Sequence, residues 1–160
     1  MITVTKEYRF EAAHRLMDHL GHCKNLHGHS YKVVVTVGCK DDKLNDNAMV
    51  LDFADLSQVV KREVVDKFDH AVVLYRRDPL ADVLAQFDEE HMGKTMRIIL
   101  LDAHPTAEYM AQVFAVMIGE QFTGTDIRVV RVEVWETSKA YATWDWTYNS
   151  GAVVCSELML

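Results

Sequence analysis

Residues 23–30 read Cys-Lys-Asn-Leu-His-Gly-His-Ser, so one thiol and two imidazoles fall within eight positions. His27 and His29 stand two apart, just before the β-branched run Tyr31–Cys39. In an extended chain, side chains two apart share a side and sit roughly 6.5–7 Å apart along the strand. That spacing lets two imidazoles converge on one ion at about 2.0–2.1 Å. Gly28 between them carries no side chain that could obstruct an ion or a substrate. A third imidazole, His14, ends the preceding segment, and a hairpin-like pairing of the two segments would bring it to the same place. A lone His-x-His is a weak signal. With His14 at a neighbouring strand end and Cys23 just upstream, the pattern reads as a metal site.

Two geometries remain open at this point. With Cys23 as fourth ligand the site is Cys-His₃, closed and structural; with Cys23 standing off, three histidines leave a position for water or substrate, as in catalytic zinc sites. Other polar residues are ambiguous singly. Asp69 and His70 directly follow a helical segment, where an imidazole is favoured by the helix dipole. Glu136 ends an otherwise apolar strand and reads locally as a strand-end carboxylate. Thr106 is a candidate N-cap, and Glu108 a first-turn acid. His19, His22, His91 and His104 lack such partners and read as solvated.

The elements that must position these residues follow from periodicity. Residues 2–13 and Tyr31–Cys39 read as strands, and 41–47 as a turn. Residues 51–68 switch to helical period, with Leu56, Val59, Val60, Val64 and Phe68 at spacings of three and four, and with Asp52 as N-cap and Asp55 as an acidic capping-box partner. Residues 78–87 suggest a short helix with Pro79 near its first turn, 89–94 a surface turn, and 95–102 a strand. A second long helix follows Thr106, with Met110, Val113, Phe114, Met117 and Ile118 on its buried face. Residues 126–137 and 141–150 alternate with period two, giving a terminal hairpin. Segregated hairpins and helices imply an α+β fold, an antiparallel sheet with helices on one face. Its open edges would be removed by closure into a barrel with partner subunits.

Bulk properties narrow the function. A chain of 160 residues, 49% hydrophobic and 26% charged, suits a single globular domain over 1–160. No apolar run approaches the ~20 residues that cross a bilayer, and the alternating N-terminus is unlike a signal peptide. A cytoplasmic protein without membrane association is expected. A formal charge of −7 without a basic cluster argues against nucleic acid as partner. Three cysteines, Cys23, Cys39 and Cys155, do not make a disulfide framework.

Taken together, Phe10–Leu16, Cys23–Val33, Val50–Leu56, Asp69–Leu74, His104–Ala111 and Val134–Thr137 resemble, in order and spacing, the motifs of the 6-pyruvoyl-tetrahydropterin synthase/6-carboxytetrahydropterin synthase family. The interval Cys-x-x-x-His-Gly-His is similar to the bacterial 6-carboxytetrahydropterin synthases of queuosine biosynthesis. The resemblance implies a tunnelling fold: a four-stranded antiparallel sheet carrying two helices, three sheets closing a barrel, and two trimers stacking as a homo-hexamer with sites at subunit interfaces. It implies that His14, His27 and His29 bind Zn²⁺, that Cys23 is the base, and that Asp69 and His70 complete its proton-transfer triad. Glu136 matches a carboxylate that grips the pterin and is grouped with the relay, and Thr106 and Glu108 match positions lining the pterin pocket. The implied reaction is a lyase conversion of 7,8-dihydroneopterin triphosphate to 6-carboxytetrahydropterin, with release of acetaldehyde and triphosphate. A 6-pyruvoyl-tetrahydropterin synthase or related pterin lyase is the alternative on the same scaffold, and a non-catalytic zinc-stabilised oligomerisation domain is a third reading. Arg15, Lys24 and Lys32 are candidates for the triphosphate by proximity in sequence. His104 stands where the family often has asparagine, and the tail to Leu160 runs past the usual end.

Overall fold

The computed structural model describes residues 2–91 and 96–148. Six strands form one sheet, β1 (Thr3–His14), β2 (His27–Cys39), β3 (Ala71–Tyr75), β4 (Ile98–Leu101), β5 (Ile127–Trp135) and β6 (Tyr141–Asp145). Their spatial order is β4-β3-β1-β2-β5-β6. β1 and β2 pair antiparallel over their full lengths, from Thr3 opposite Gly38 to His14 opposite His27. β5 and β6 extend this side antiparallel. On the other side β3 joins β1 in parallel, and β4 joins β3 in parallel.

This corrects the expected four-stranded antiparallel sheet with two helices. The short run Ala71–Tyr75 follows a helix and precedes another, so each link to its parallel neighbour is a crossover, and that is how parallel pairing arises. Local pattern alone does not say which edge such a segment joins. Among the described residues there are three helical rods. The first comprises α1 (Phe53–Val60), a π-helical turn (Lys61–Val65) and α2 (Asp66–Phe68); the others are α3 (Pro79–Glu90) and α4 (Ala107–Glu120).

Capping follows the sequence signals. The Asp52 carboxylate accepts from the Ala54 N–H, Asp78 from Leu80, and Thr106 from Tyr109. Each satisfies a backbone donor that the first helical turn leaves unpaired. α3 runs to Glu90, so the expected turn begins later than the sequence suggested, and residues 92–95 of it lie outside the described residues. None of the described helices is long and apolar enough to cross a membrane.

Alternation divides the central strands cleanly. Tyr8, Phe10, Ala12 and His14 of β1, with Tyr31, Val33, Val35 and Val37 of β2, are buried on one face. Met110, Val113, Phe114, Met117 and Ile118 of α4 join the same core, as their spacing predicts. Phe68 sits edge-on to Phe114 at 4.8 Å between ring centres, and Phe10 reaches both at 6.1 Å. Such aromatic pairs add about 0.5–1.5 kcal/mol each beyond the area they bury. They clamp the helices onto β1 and β2 and so steady the strand ends that carry the histidines.

Candidate active site

The full-length register of β1 and β2 sets His14 directly opposite His27, with His29 two residues further along the same face. The ring centres are 4.6 Å apart for His14 and His27, 4.9 Å for His27 and His29, and 5.1 Å for His14 and His29. One ligand nitrogen from each lies within 4.8 Å of the others, and this trio is the group so arranged among the described residues. Cys23, in a 3₁₀ turn at His22–Lys24, is not part of it.

Hydrogen bonds orient two of the imidazoles. His14 Nδ1–H donates to the Pro105 carbonyl at 2.8 Å, and His27 Nδ1–H donates to the Asn25 carbonyl at 2.8 Å. Both Nε2 lone pairs therefore remain free for an ion, the arrangement in which a second hydrogen bond selects the ligating nitrogen. The two Nε2 atoms are 3.2 Å apart. Tetrahedral bonds of about 2.0–2.1 Å require ligand atoms about 3.3–3.4 Å apart, so this edge already has the dimension a small metal ion needs. Burial pushes the pKa of His14 down to about 4, against the Pro105 hydrogen bond and with help from the charges of His27 and His29. His29 is lowered by burial and then by His27. Neutral imidazoles are the form that binds metal. The three residues fit a divalent cation that accepts nitrogen ligands.

Around this trio the chain gathers polar groups from distant segments. Cys23 is half-buried with a free thiol. Glu136 follows β5, and burial raises its pKa; Glu108 adds to the rise and His27 opposes it. Tyr31, on the ligand face of β2, is raised by burial and then by the charges of Glu136 and Cys23. Cys23, Tyr31, Glu136, Glu108 and His27 thus share one electrostatic neighbourhood. Glu108 lies exposed in the first turn of α4, and the Thr106 hydroxyl caps that helix.

Asp69 and His70 lie elsewhere. Asp69 Oδ1 accepts the Glu11 N–H at 2.9 Å, and the His70 N–H donates to the Glu11 carbonyl at 2.6 Å. His70 Nδ1 meets Asp69 Oδ2 at 2.9 Å. The Glu11 hydrogen bond, then the His70 contacts, hold the Asp69 pKa below the usual carboxylate range. The His70 imidazole is 79% exposed and borders a groove of about 400 Å³ whose lining includes Glu11, Ala13, Gly28, His29 and Ser30. By strand alternation the side chains of Glu11, Ala13 and Ser30 point to the face opposite those of His14, His27 and His29. Within one chain, the Asp-His pair therefore lies on the other side of the β1–β2 ladder from the three imidazole side chains. His70 also takes φ +58°, at a helix end where glycine is usual.

Several local readings change. Gly28 does not clear a path to the ion: its missing Cβ would point to the other face, 3.2 Å from the Ala12 carbonyl oxygen. Glycine there permits close approach of β1 and β2. Arg15 is engaged, donating to both oxygens of the buried Asp78 at 2.6 and 2.5 Å. Lys32 lies 3.7 Å over the Trp135 ring. Neither is thus a free cation waiting beside the ligands. His104 is half-buried, packed on Tyr75 at 5.0 Å between ring centres, rather than solvated. Tyr31 was not singled out by spacing; its place two residues beyond His29 on the same face was the signal available. Cys155 and the tail lie outside the described residues.

A sequence model of the 6-pyruvoyl tetrahydropterin synthase family matches residues 3–146. The chain is 32% identical to the 6-carboxy-5,6,7,8-tetrahydropterin synthase of Haemophilus influenzae, covering 88% of this chain and 96% of the relative. It is 30% identical to the protein of the same name from Aquifex aeolicus, covering 87% and 94%. Among solved structures, an uncharacterized Wolinella succinogenes protein superposes with a TM-score of 0.76 at 23% identity, covering 90% of this chain and 97% of that one. The Caenorhabditis elegans 6-pyruvoyl tetrahydropterin synthase does so with a TM-score of 0.61 at 22% identity, covering 90% and 94%. The chain belongs to the 6-pyruvoyl tetrahydropterin synthase family, whose members are lyases.

Proposed function

We propose that this protein is a zinc-dependent 6-carboxy-5,6,7,8-tetrahydropterin synthase. It would convert 7,8-dihydroneopterin triphosphate to 6-carboxytetrahydropterin, acetaldehyde and triphosphate, supplying queuosine and 7-deazaguanine biosynthesis in the cytoplasm. The observation that carries this reading is the three-histidine cluster with Cys23 outside it and the half-buried Glu136 alongside. Three histidines without the thiol leave an open position, the catalytic rather than the structural arrangement. The curated relatives described above bear the name of this activity.

His14, His27 and His29 would hold Zn²⁺, and a bound Zn²⁺ supplies Lewis acidity that polarises substrate oxygens and acidifies neighbouring C–H bonds. Cys23 takes the carbon-bound proton as thiolate. Glu136 accepts hydrogen bonds from the pterin ring N–H and amino group, which selects heterocycles that carry both donors. Thr106 and Glu108, at the start of α4, would line the pterin pocket.

The His70 imidazole, oriented by Asp69, would assist Cys23 from a second subunit, because the pair faces away from the ligands of its own chain. A closed homo-oligomer, a hexamer built as a dimer of trimers, provides that arrangement and covers the sheet edges at β4 and β6. A left-handed histidine where glycine would be less strained fits a residue kept for its side chain.

The test is incubation of the zinc-loaded protein with 7,8-dihydroneopterin triphosphate, followed by mass analysis of the pterin and assay of acetaldehyde. A 6-carboxytetrahydropterin product with stoichiometric acetaldehyde is expected. A 6-pyruvoyl product without acetaldehyde would reassign the reaction, and absence of any turnover would reject the catalytic reading.

A further inference from the structure

His14, the buried member of the histidine trio, stands at a strand end. The registers of β1 with β2 and with β3 both stop there, opposite His27 and Val73, so the chain beyond it loses the ladders that fixed it. The next residue is Arg15, and its guanidinium reaches Asp78, with Nε on Oδ2 at 2.6 Å and Nη2 on Oδ1 at 2.5 Å. The Asp78 side chain is 0% exposed and that of Arg15 25%. Asp78 is itself tied at two points. Its Oδ1 accepts the Leu80 N–H at 2.9 Å at the start of α3, and its backbone N–H donates to the Tyr75 carbonyl at 2.8 Å at the end of β3. The Tyr75 ring packs on His104, whose neighbour Pro105 supplies the carbonyl that orients His14. The bond from the Leu16 N–H to the Cys23 carbonyl, at 2.8 Å, ties the following loop only to itself. It is the Arg15–Asp78 pair that ties the exit of β1 to the body of the fold.

Capping α3 does not require such a pair. A serine or asparagine accepts the Leu80 N–H equally well and brings no charge. A buried carboxylate is also a poor source of stability, because the cost of removing its water offsets much of the attraction to its partner. What the pair supplies is geometry. A planar guanidinium met at two atoms fixes both distance and direction, which a single contact does not. We propose that Asp78 is a positioning residue for the metal site: through its two-point hold on Arg15 it fixes the end of β1, and with it the direction in which His14 presents Nε2 to the ion. This assignment rests on the proposed function above, in that the three histidines hold Zn²⁺. A ligand left loose must be ordered when the ion binds, and that ordering subtracts from affinity. The role moves no proton and breaks no bond.

The experiment measures the Zn²⁺ dissociation constant of the full-length protein by competition with a chromophoric chelator, at a temperature where the zinc-free forms are folded. Thermal midpoints of those zinc-free forms are recorded alongside. The informative variant combines Asp78→Asn with Arg15→Met. It keeps an acceptor for the Leu80 N–H and leaves no buried charge unpaired, so its midpoint should stay near that of wild type. Its zinc affinity should nevertheless fall by about tenfold, the low end of what groups around the ligands of a metal contribute. Arg15→Lys, which keeps the charge but not the fork, should fall between the two. Wild-type zinc affinity in the double variant would overturn the proposal. So would wild-type affinity in Arg15→Lys, a result that stands even where the double variant fails to fold. An equal loss in Arg131→Met, which breaks the ion pair with Asp145 on β5 and β6, would overturn it as well, because the effect would then be general. If wild type binds zinc tightly and the variants match it, only the role of Asp78 falls. If folded wild type binds no zinc, the metal-site reading falls and this proposal with it.

Discussion

Acidifying the metal-free protein should destabilise it in a window set by His14. Its imidazole titrates near 6.5 when exposed and at about 4 in the fold, because burial disfavours the charged ring. The folded pKa lies below the unfolded one, so below 6.5 the unfolded chain binds the extra proton first. The stabilising contribution of neutral His14 is thus complete above about 6.5, is lost as pH falls from 6.5 towards 4, and changes no further below that. The separation between those two values corresponds to roughly 3 kcal/mol per subunit. His29, also lowered by burial, acts in the same sense. Asp69 and Asp78, whose folded pKa values lie below the carboxylate range, lose their contributions at lower pH. Glu136, with a raised folded pKa, works in the opposite sense but equally in wild type and variant. Urea unfolding of chelator-treated wild type and His14→Gln at several pH values between 7.5 and 4 isolates the effect. The wild type should lose about 3 kcal/mol more than the variant over this range. Parallel curves would refute the linkage and show that His14 is neither desolvated nor held neutral by the fold.

Cys23→Ala should keep its metal while losing most turnover, whereas His27→Ala should lose both; elemental analysis of the two purified variants checks this, and loss of metal from Cys23→Ala would restore the closed Cys-His₃ site. Glu136→Gln removes one acceptor and presents an N–H to a ring donor. A cost of roughly 2–4 kcal/mol, or on the order of 30- to 1000-fold in kcat/KM, is expected. Because burial disfavours the Glu136 carboxylate, the same variant should unfold at higher urea near neutral pH, and unchanged kinetics would exclude the pterin-anchor role. At position 70, φ +58° predicts that His70→Gly is more stable than His70→Ala by about 1 kcal/mol, while both lose activity; thermal midpoints of equal height would deny the left-handed strain.

What could be read from the chain alone is whatever local periodicity and adjacency dictate. The i, i+2 spacing of His27 and His29, with His14 closing the previous strand, marked the histidine trio, because antiparallel pairing places one strand's end beside the next strand's start. The α4 core stripe and the Asp52 and Thr106 caps follow from 3.6-residue periodicity and the side-chain chemistry of the first turn. Tertiary structure decided what depends on which distant segments meet, and on which face. Ala71–Tyr75 is apolar in any setting, and only packing makes it a parallel neighbour of β1. Spacing left Cys23 free to ligate or stand apart, and it is the fold of residues 15–26 that keeps it out of the histidine cluster. Asp69 and His70 are set on the far face by hydrogen bonds to Glu11, a residue 58 positions from Asp69, which no local pattern encodes. Gly28 owes its place to the Ala12 carbonyl across the ladder.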